Sequence, residues 1–196
     1  KYKLYDFFKK YNIIANKENL INALNRDPID KSVIKFYLQN LPHIVDDVFD
    51  YAFENDNINL FTKLFDYYME SGKSIYDLLD KTFTKRNVFL ANVLLDVLFG
   101  RLDKNDIDSN TAIVTYIIMK AKDFAYPLLM DILKKGYKFE LSDIATKTIL
   151  NYNLTKVLKL LARSHIKSSY INKNLVNILK SKLITPEIKY IVREFD

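Results

Sequence analysis

Residues Asp123–Gly136, with the sequence DFAYPLLMDILKKG, carry the signals of one complete helix. Asp123 is a residue type that caps helix N-termini, and Gly136 is a type that ends helices in a left-handed conformation. Apolar residues recur at helical spacing between them, and Pro127 falls in the first turn, where its missing N–H costs little. The segment therefore predicts one helix with an apolar stripe.

Four other segments repeat this helix frame, which we define as an Asp or Asn followed 13 residues later by a residue that tolerates a left-handed helix stop. They are Asp27–Asn40, Asn59–Gly72, Asn87–Gly100 and Asn151–Ser164. The five frames start 32, 28, 36 and 28 residues apart, a mean of 31, and all three glycines of the chain end such a frame. The longest interval contains the polar segment 101–110, which we interpret as an insertion. We infer helix pairs that repeat along the chain.

Caps and apolar periodicity also predict the helices that alternate with these frames. They are Tyr2–Ile14, a helix capped by Asn16, His43–Phe53, Ile75–Thr84, Thr111–Lys122, Ile144–Leu150, Ser168–Lys182 and Glu187–Glu194. Only 3 glycines and 4 prolines occur, which argues against a loop-rich β fold. We therefore predict an all-α fold, a single helical-repeat solenoid over residues 1–196, with an N-terminal cap at 1–26 and helix pairs at 27–196. Because the chain begins at Lys1 rather than Met, we also expect it to be part of a longer protein.

The frame Asn151–Ser164 resembles the second helix of an ankyrin repeat, whose pattern is NGxLxxVxxLLxxG. The matching residues are Asn151, Leu154, Val157, Leu160, Leu161 and Ser164. Helix pairs that repeat at about 33 residues are typical of ankyrin arrays. The chain departs from the family because the TPLHxA opening of the first helix is absent, so a helical solenoid of another kind stays open.

The ankyrin resemblance implies a non-catalytic scaffold or adaptor that binds a protein partner. The abundance of Tyr, Phe, Asn and Lys is similar to that of ankyrin-like arrays from large DNA viruses and intracellular bacteria. The resemblance thus implies a viral protein that engages a host or virion partner in the host cytoplasm. The absence of cysteine also favours a reducing compartment such as the cytoplasm.

The C-terminal third is strongly basic. Residues 144–186 include no Asp or Glu, whereas eight Lys or Arg residues occur there. Lys156, Lys159 and Arg163 fall on the outer face of one predicted helix, and Lys167 follows it. These four residues are candidates for binding an acidic protein surface or, as the alternative, nucleic acid. Arginine is scarce in this region, which weakens specific phosphate recognition, and a lysine-rich face that only contacts solvent would have the same pattern.

Two aromatic residues directly after the central helix frame, Tyr137 and Phe139, are candidates for exposed contact residues because they follow the helix stop. Tyrosine is enriched among the residues that dominate protein interfaces. The alternative is that both side chains pack beneath the following helix pair.

Nothing in the sequence indicates catalysis, a cofactor or a bound metal. The two histidines, His43 and His165, have no nucleophile or acid at a recognisable spacing, and nucleotide-binding and hydrolase motifs are absent. Segment 103–108 begins like a calcium loop but lacks the glycine and the final glutamate. No apolar run approaches the roughly 18 residues of a membrane-spanning helix. We therefore predict a protein that is not an enzyme and does not insert into a membrane.

Overall fold

The structure, a computed structural model, describes residues 15–29 and 31–195. Within these ranges the chain forms helices and turns and no strand, which confirms the predicted all-α fold. The predicted helix Tyr2–Ile14 lies outside the described residues. Every helix within the two ranges is too short or too polar to span a bilayer.

The chain divides into two compact units, one that ends at Leu78 and one that begins at Leu79. The first unit contains α1 (Lys17–Asn25), α2 (Lys31–Asn40), α3 (Pro42–Glu54) and α4 (Ile58–Glu70), and α5 (Ile75–Lys85) begins in it. The second unit contains α6 (Val88–Phe99), α7 (Ile107–Ala121), α8 (Ala125–Lys134), α9 (Asp143–Asn151), α10 (Thr155–Arg163), α11 (Ser169–Lys180) and α12 (Pro186–Ile191). The 3-10 turns Lys122–Phe124 and Val192–Phe195 precede α8 and follow α12. The single array over residues 1–196 stays a prediction.

An aromatic cluster forms much of the core of the first unit. The Phe49 ring, on α3, contacts Phe61 and Tyr68 edge to face at centroid distances of 5.7 and 5.2 Å. Helix α3 packs against α1, α2 and α4, so its buried stripe holds the unit together. Burial, followed by the negative charges of Asp77 and Asp46, raises the pKa of Tyr68 to about 12, which keeps this phenol protonated at neutral pH.

The second unit arranges its helices in two rows. Helices α6, α8, α10 and α12 pack successively against one another, and α7, α9 and α11 form the other row. Alternate helices of the sequence therefore lie side by side. Each helix buries an apolar stripe, as in α7, where Val114, Ile117 and Ile118 are fully buried.

In several places, including Gly136 and His165, a left-handed residue ends a helix and the residue after it donates its backbone N–H to a carbonyl five residues earlier. We call this geometry a pair turn where the next helix begins two residues after the left-handed residue, which occurs three times within the described residues. Asp56, Arg86 and Asn153 have φ angles of 48°, 54° and 50°. The next residue in each case donates its backbone N–H to a carbonyl five residues earlier. These bonds run from Asn57 to Ala52 at 2.9 Å, from Asn87 to Thr82 at 3.0 Å and from Leu154 to Ile149 at 2.9 Å. A residue in the left-handed conformation thus ends the helix before each pair turn.

Burial repeats in the same register around the pair turns. The residues four, five, eight and nine positions after the left-handed residue are buried each time. They are Leu60, Phe61, Leu64 and Phe65; Leu90, Ala91, Leu94 and Leu95; and Val157, Leu158, Leu161 and Ala162. Lys122 also has a positive φ, 52°, but it begins a 3-10 turn. The buried residues after it therefore lie two positions closer to the left-handed residue than they do after the pair turns.

The structure corrects several predicted starts of the helix frames. Helix α2 begins at Lys31 because the exposed residues around Pro28 form a bend, and the buried stripe starts only later, at Ile34. Asn57 rather than Asn59 caps α4, since Asn57 directly follows the left-handed residue of the pair turn. Asn151 does not start a helix but is the last residue of α9, because the left-handed residue of the next pair turn is Asn153.

Asp123 does not cap α8. It lies inside the 3-10 turn, and its carboxylate accepts a hydrogen bond from Arg86 at 2.9 Å instead. Gly72 and Gly136 do adopt left-handed conformations, with φ angles of 77° and 80°. Gly100 does not, and at the end of α10 the left-handed residue is His165 rather than Ser164.

The polar segment 101–110 is a shorter loop than predicted. Helix α7 begins at Ile107, and the Asp106 side chain caps it by accepting a hydrogen bond from the Ser109 N–H at 3.1 Å. Asn110 is fully buried and lies in the helix. The polar residues at this helix start suggest a loop in the sequence, whereas in the structure they make capping and loop hydrogen bonds.

Candidate partner-binding surface

Helix α10 has a sharply divided surface. Its buried face consists of Val157, Leu158, Leu161 and Ala162, as reported for the pair turn. Lys156, Lys159 and Arg163 are exposed on the opposite face, at a spacing that places side chains along one side of a helix. We call these three residues the basic stripe. Within residues 15–29 and 31–195, no carboxylate lies within 4.0 Å of their charged groups.

The basic stripe forms one wall of a groove between α8 and α10. Tyr126 of α8 and Leu160 of α10 are both half-buried and line it together with the three cations. This part of the groove has a volume of about 290 Å³. It therefore offers a partly apolar surface with uncompensated positive charge along its side.

A second cavity, of about 510 Å³, adjoins the same two side chains, because Tyr126 and Lys156 line both cavities. Its other lining residues are mainly apolar. They are Val88, Phe124, Pro127, Tyr152, Leu154 and Val157, with the polar residues Arg86, Asp123, Asn153 and Thr155. We call the two cavities together the α8–α10 groove, the first its basic half and the second its apolar half.

The charges of the apolar half compensate each other. The Arg86 guanidinium donates a hydrogen bond to Asp123 at 2.9 Å and lies 5.5 Å from the centroid of the Phe124 ring. The hydrogen bond from Arg86 holds the pKa of the Asp123 carboxyl below its ordinary value of 3.8, so this acid is ionised at neutral pH. Apart from Lys156, which lines both halves, the apolar half is therefore neutral overall, whereas the basic half is positive.

Tyr152 extends the apolar half outward. Its side chain is 56% exposed, although the residue directly follows the end of α9. The Lys122 ammonium lies 4.1 Å from the centroid of its ring, a distance at which a cation–π contact holds the ring in place. The exposed side of the ring remains accessible to a partner.

The structure does not bring all the predicted site residues together. Lys167 is exposed but lines a separate groove of about 420 Å³ with Glu140, His165 and Glu194, so acids lie on that surface too. It is thus not part of the basic stripe.

Phe139 is not an exposed contact residue, and its burial supports the alternative that it packs in the core. This side chain is only 4% exposed, and Tyr137 is half-buried against Phe99 at a ring distance of 4.6 Å. Residues 137–141 are not helical, and alternate side chains there point inward, so Phe139 and Leu141 both enter the core. The helix stop at Gly136 alone did not reveal this alternation.

Sequence reasoning missed Tyr126, Tyr152 and the ion pair between Arg86 and Asp123. The aromatic residues stand within apolar helix patterns or turns, where packing is the usual role. The ion pair joins residues 37 positions apart and has no local signal. Arg86 and Asn153 both occupy pair turns and both line the groove, but no glycine marks these turns in the sequence.

The described part of the chain brings no group of three or more His, Asp or Glu side chains into an arrangement that would hold a metal ion. Comparisons with models of known protein families, with curated proteins and with solved structures found no match to this chain.

Proposed function

We propose that this chain is a non-catalytic protein–protein interaction scaffold built from ankyrin-like helix pairs. The recurrence of the pair turn at positions 56, 86 and 153, with the same buried positions after it, supports a repeat architecture. The two rows of helices in the second unit support the same interpretation. In repeat arrays each helix pair buries its apolar face only against its neighbours, and the long surface that results is used for binding.

The α8–α10 groove is the observation that carries a binding function. Interfaces combine an apolar centre with polar surroundings, and aromatic and arginine side chains dominate their energy. The groove has these features in Tyr126, Tyr152 and Arg163, with lysines beside them. Its three unpaired cations also favour an acidic partner surface.

The chemistry of the groove favours binding over catalysis. Its one carboxylate, Asp123, has a lowered pKa because Arg86 donates a hydrogen bond to it. A general acid or base works best with a pKa near the operating pH, and this shift goes in the opposite direction. The ion pair therefore has the character of a structural contact.

Nucleic-acid binding is the second candidate, and one observation favours it. All eight Lys and Arg residues of the acid-free segment 144–186 are exposed. They are Lys147, Lys156, Lys159, Arg163, Lys167, Lys173, Lys180 and Lys182. Such a surface would attract phosphates, and the logarithm of the binding constant would fall linearly with the logarithm of the salt concentration.

Affinity capture separates the two candidates. The tagged chain is incubated with extract of the cells in which it is made, divided in two, and one half is treated with nuclease. We expect the same discrete proteins to be captured from both halves. Loss of all captured proteins after nuclease treatment would contradict the scaffold function and support the nucleic-acid one.

A further inference from the structure

We propose that the α8–α10 groove binds an acidic linear segment of a partner protein, with the acidic residues along the basic stripe and one apolar side chain in the apolar half. This inference rests on the proposed scaffold function and names the chemistry of its ligand. The occupant is a peptide segment of another protein rather than a folded domain or a nucleic acid.

The size of the basic half fits a short extended segment. Lys156 and Arg163 are seven residues apart on one helix, which corresponds to about 10 Å at a rise of about 1.5 Å per residue. An extended peptide covers this distance with about three residues at roughly 3.3 Å each. Three or four acidic residues therefore suffice to pair with the whole basic stripe, and Leu160 lies between its cations to contact the peptide backbone and stems.

The apolar half supplies a place for one larger side chain. Tyr126 and Pro127 of α8 face Leu154 and Thr155 at the start of α10 across this cavity. A volume of about 510 Å³ exceeds what one aromatic or aliphatic side chain needs, even with part of it open to solvent. Burial of such a side chain would add affinity that does not depend on salt.

The distribution of charge favours a peptide over a nucleic acid. A nucleic acid carries a phosphate on every nucleotide, so a strand that follows the whole groove would place phosphates beside the exposed Asp123 carboxylate. A peptide can hold its charges at one end and an uncharged side chain at the other. The basic stripe also contains only one arginine, the side chain that pairs bidentately with phosphate.

A peptide panel and full-length variants test this inference. The probes are fluorescein-labelled octapeptides with four acidic residues at one end and a single Phe, Leu, Tyr or Val at the other, in both orders. Each has two counterparts, one with Gln and Asn in place of the acids and one with Ala in place of the apolar residue. Binding is measured by fluorescence anisotropy at about 0.15 M salt, where the screening length is about 8 Å.

We expect at least one acidic peptide to bind more than tenfold tighter than its uncharged counterpart and severalfold tighter than its Ala counterpart. The double substitution Lys156→Glu/Lys159→Glu should weaken this binding at least tenfold. The matched control Lys173→Glu/Lys182→Glu changes the net charge equally at two exposed lysines outside the groove and should leave binding within twofold. Tyr126→Ser should remove the preference for the apolar residue and keep the preference for acids.

Three results of these binding measurements would overturn the inference. The first is equal affinity for the acidic and the uncharged peptides, and the second is an equal loss of peptide affinity in the two double variants. The third is that a labelled 20-nucleotide RNA strand binds more tightly than any peptide and that only the basic-stripe variant loses this RNA binding. Circular dichroism of each variant excludes unfolding as the cause. If the basic-stripe variant still captured the wild-type protein partners from extract, the groove would be excluded while the scaffold function stood.

Discussion

The Asn87 side-chain oxygen accepts a hydrogen bond from the backbone N–H of Leu90 at 2.9 Å, directly after the left-handed residue of a pair turn. Asn57 makes the same contact with the N–H of Leu60 at 3.0 Å. Because both caps follow a left-handed residue, each pair turn ends one helix and starts the next within two residues. The turn is thus a compact unit of structure whose parts can be tested separately.

Replacing Asn87 by Ala removes the cap of α6 and leaves a helix N–H without its partner. We expect a loss of about 1 kcal/mol in the free energy of unfolding, measured by urea denaturation followed by circular dichroism. Asn87→Asp retains the acceptor oxygen and should stay within about 0.5 kcal/mol of the wild type. An Ala variant as stable as the Asp variant would show that the cap does not stabilise α6.

Gly136 ends α8 with a φ of 80°, and a Cβ added there would meet no atom within 4 Å. Substitution by Ala therefore changes only the backbone preference, and we expect a loss of about 1 kcal/mol because L-residues disfavour this conformation. Gly136→Asn should lose less, since Asn tolerates left-handed geometry. Equal unfolding free energies for the Ala variant and the wild type would contradict the left-handed stop.

Asn110 joins two loops of the second unit. Its side-chain NH2 donates to the carbonyl oxygens of Asp103, Lys104 and Lys138 at 3.2, 3.2 and 3.1 Å, and the residue is fully buried. Asn110→Ala removes these three hydrogen bonds of a buried side chain and should cost about 1–3 kcal/mol in urea unfolding. Asn105→Ala, at an exposed position of the same loop, should change the free energy by less than about 0.5 kcal/mol.

A loss at Asn105 as large as that at Asn110 would indicate that the whole loop, rather than the buried amide, determines stability. Among the described residues, no group donates a hydrogen bond to the Asn110 side-chain oxygen, so the stabilisation comes from the donor side of the amide.

The ion pair in the groove predicts a pH dependence. The hydrogen bond from Arg86 lowers the pKa of Asp123 below 3.8, so its contribution to stability is present above pH 3.8 and is lost as the pH falls through the lowered value. Carbon-detected NMR titration should give a pKa below 3.8 in the wild type, returning towards 3.8 in Arg86→Gln. Arg101→Gln removes the charge of another exposed arginine and should leave the pKa of Asp123 unchanged. An Asp123 pKa of 3.8 or more in the wild type would show that the pair does not form in solution.

The sequence predicts the helices well because their signals are local. Apolar spacing and caps near Asn16, Asn87, Ser142 and Thr185 are sufficient, and the structure has a side-chain cap at each of these residues. The error at Asp27 comes from the bend around Pro28, whereas the errors at Asn59 and Asn151 share one cause. An Asn or Asp near a helix start was interpreted as the cap, whereas the left-handed residue of the turn fixes where the next helix begins. The left-handed conformation at Asp56 and Arg86 cannot be recognised in the sequence, because neither residue is a glycine.

The candidate site was only partly predictable. The basic stripe follows from the amphipathic pattern of one helix, so Lys156, Lys159 and Arg163 could be placed on one exposed face. The groove needs Tyr126 from a neighbouring helix, and that neighbour follows from packing rather than from spacing along the chain. The helix stop could not decide whether Phe139 is exposed, because successive side chains of a short extended segment point to opposite sides.

Capture of partners by charge-reversed chains tests the central claim, protein docking through the α8–α10 groove, most directly. The wild type, Lys156→Glu/Lys159→Glu and the control Lys173→Glu/Lys182→Glu are each incubated with nuclease-treated extract, and the captured proteins are quantified by mass spectrometry. We predict a discrete set of proteins on the wild type and the control that falls at least tenfold on the basic-stripe variant. An empty or identical protein set on all three chains would contradict protein docking through the α8–α10 groove.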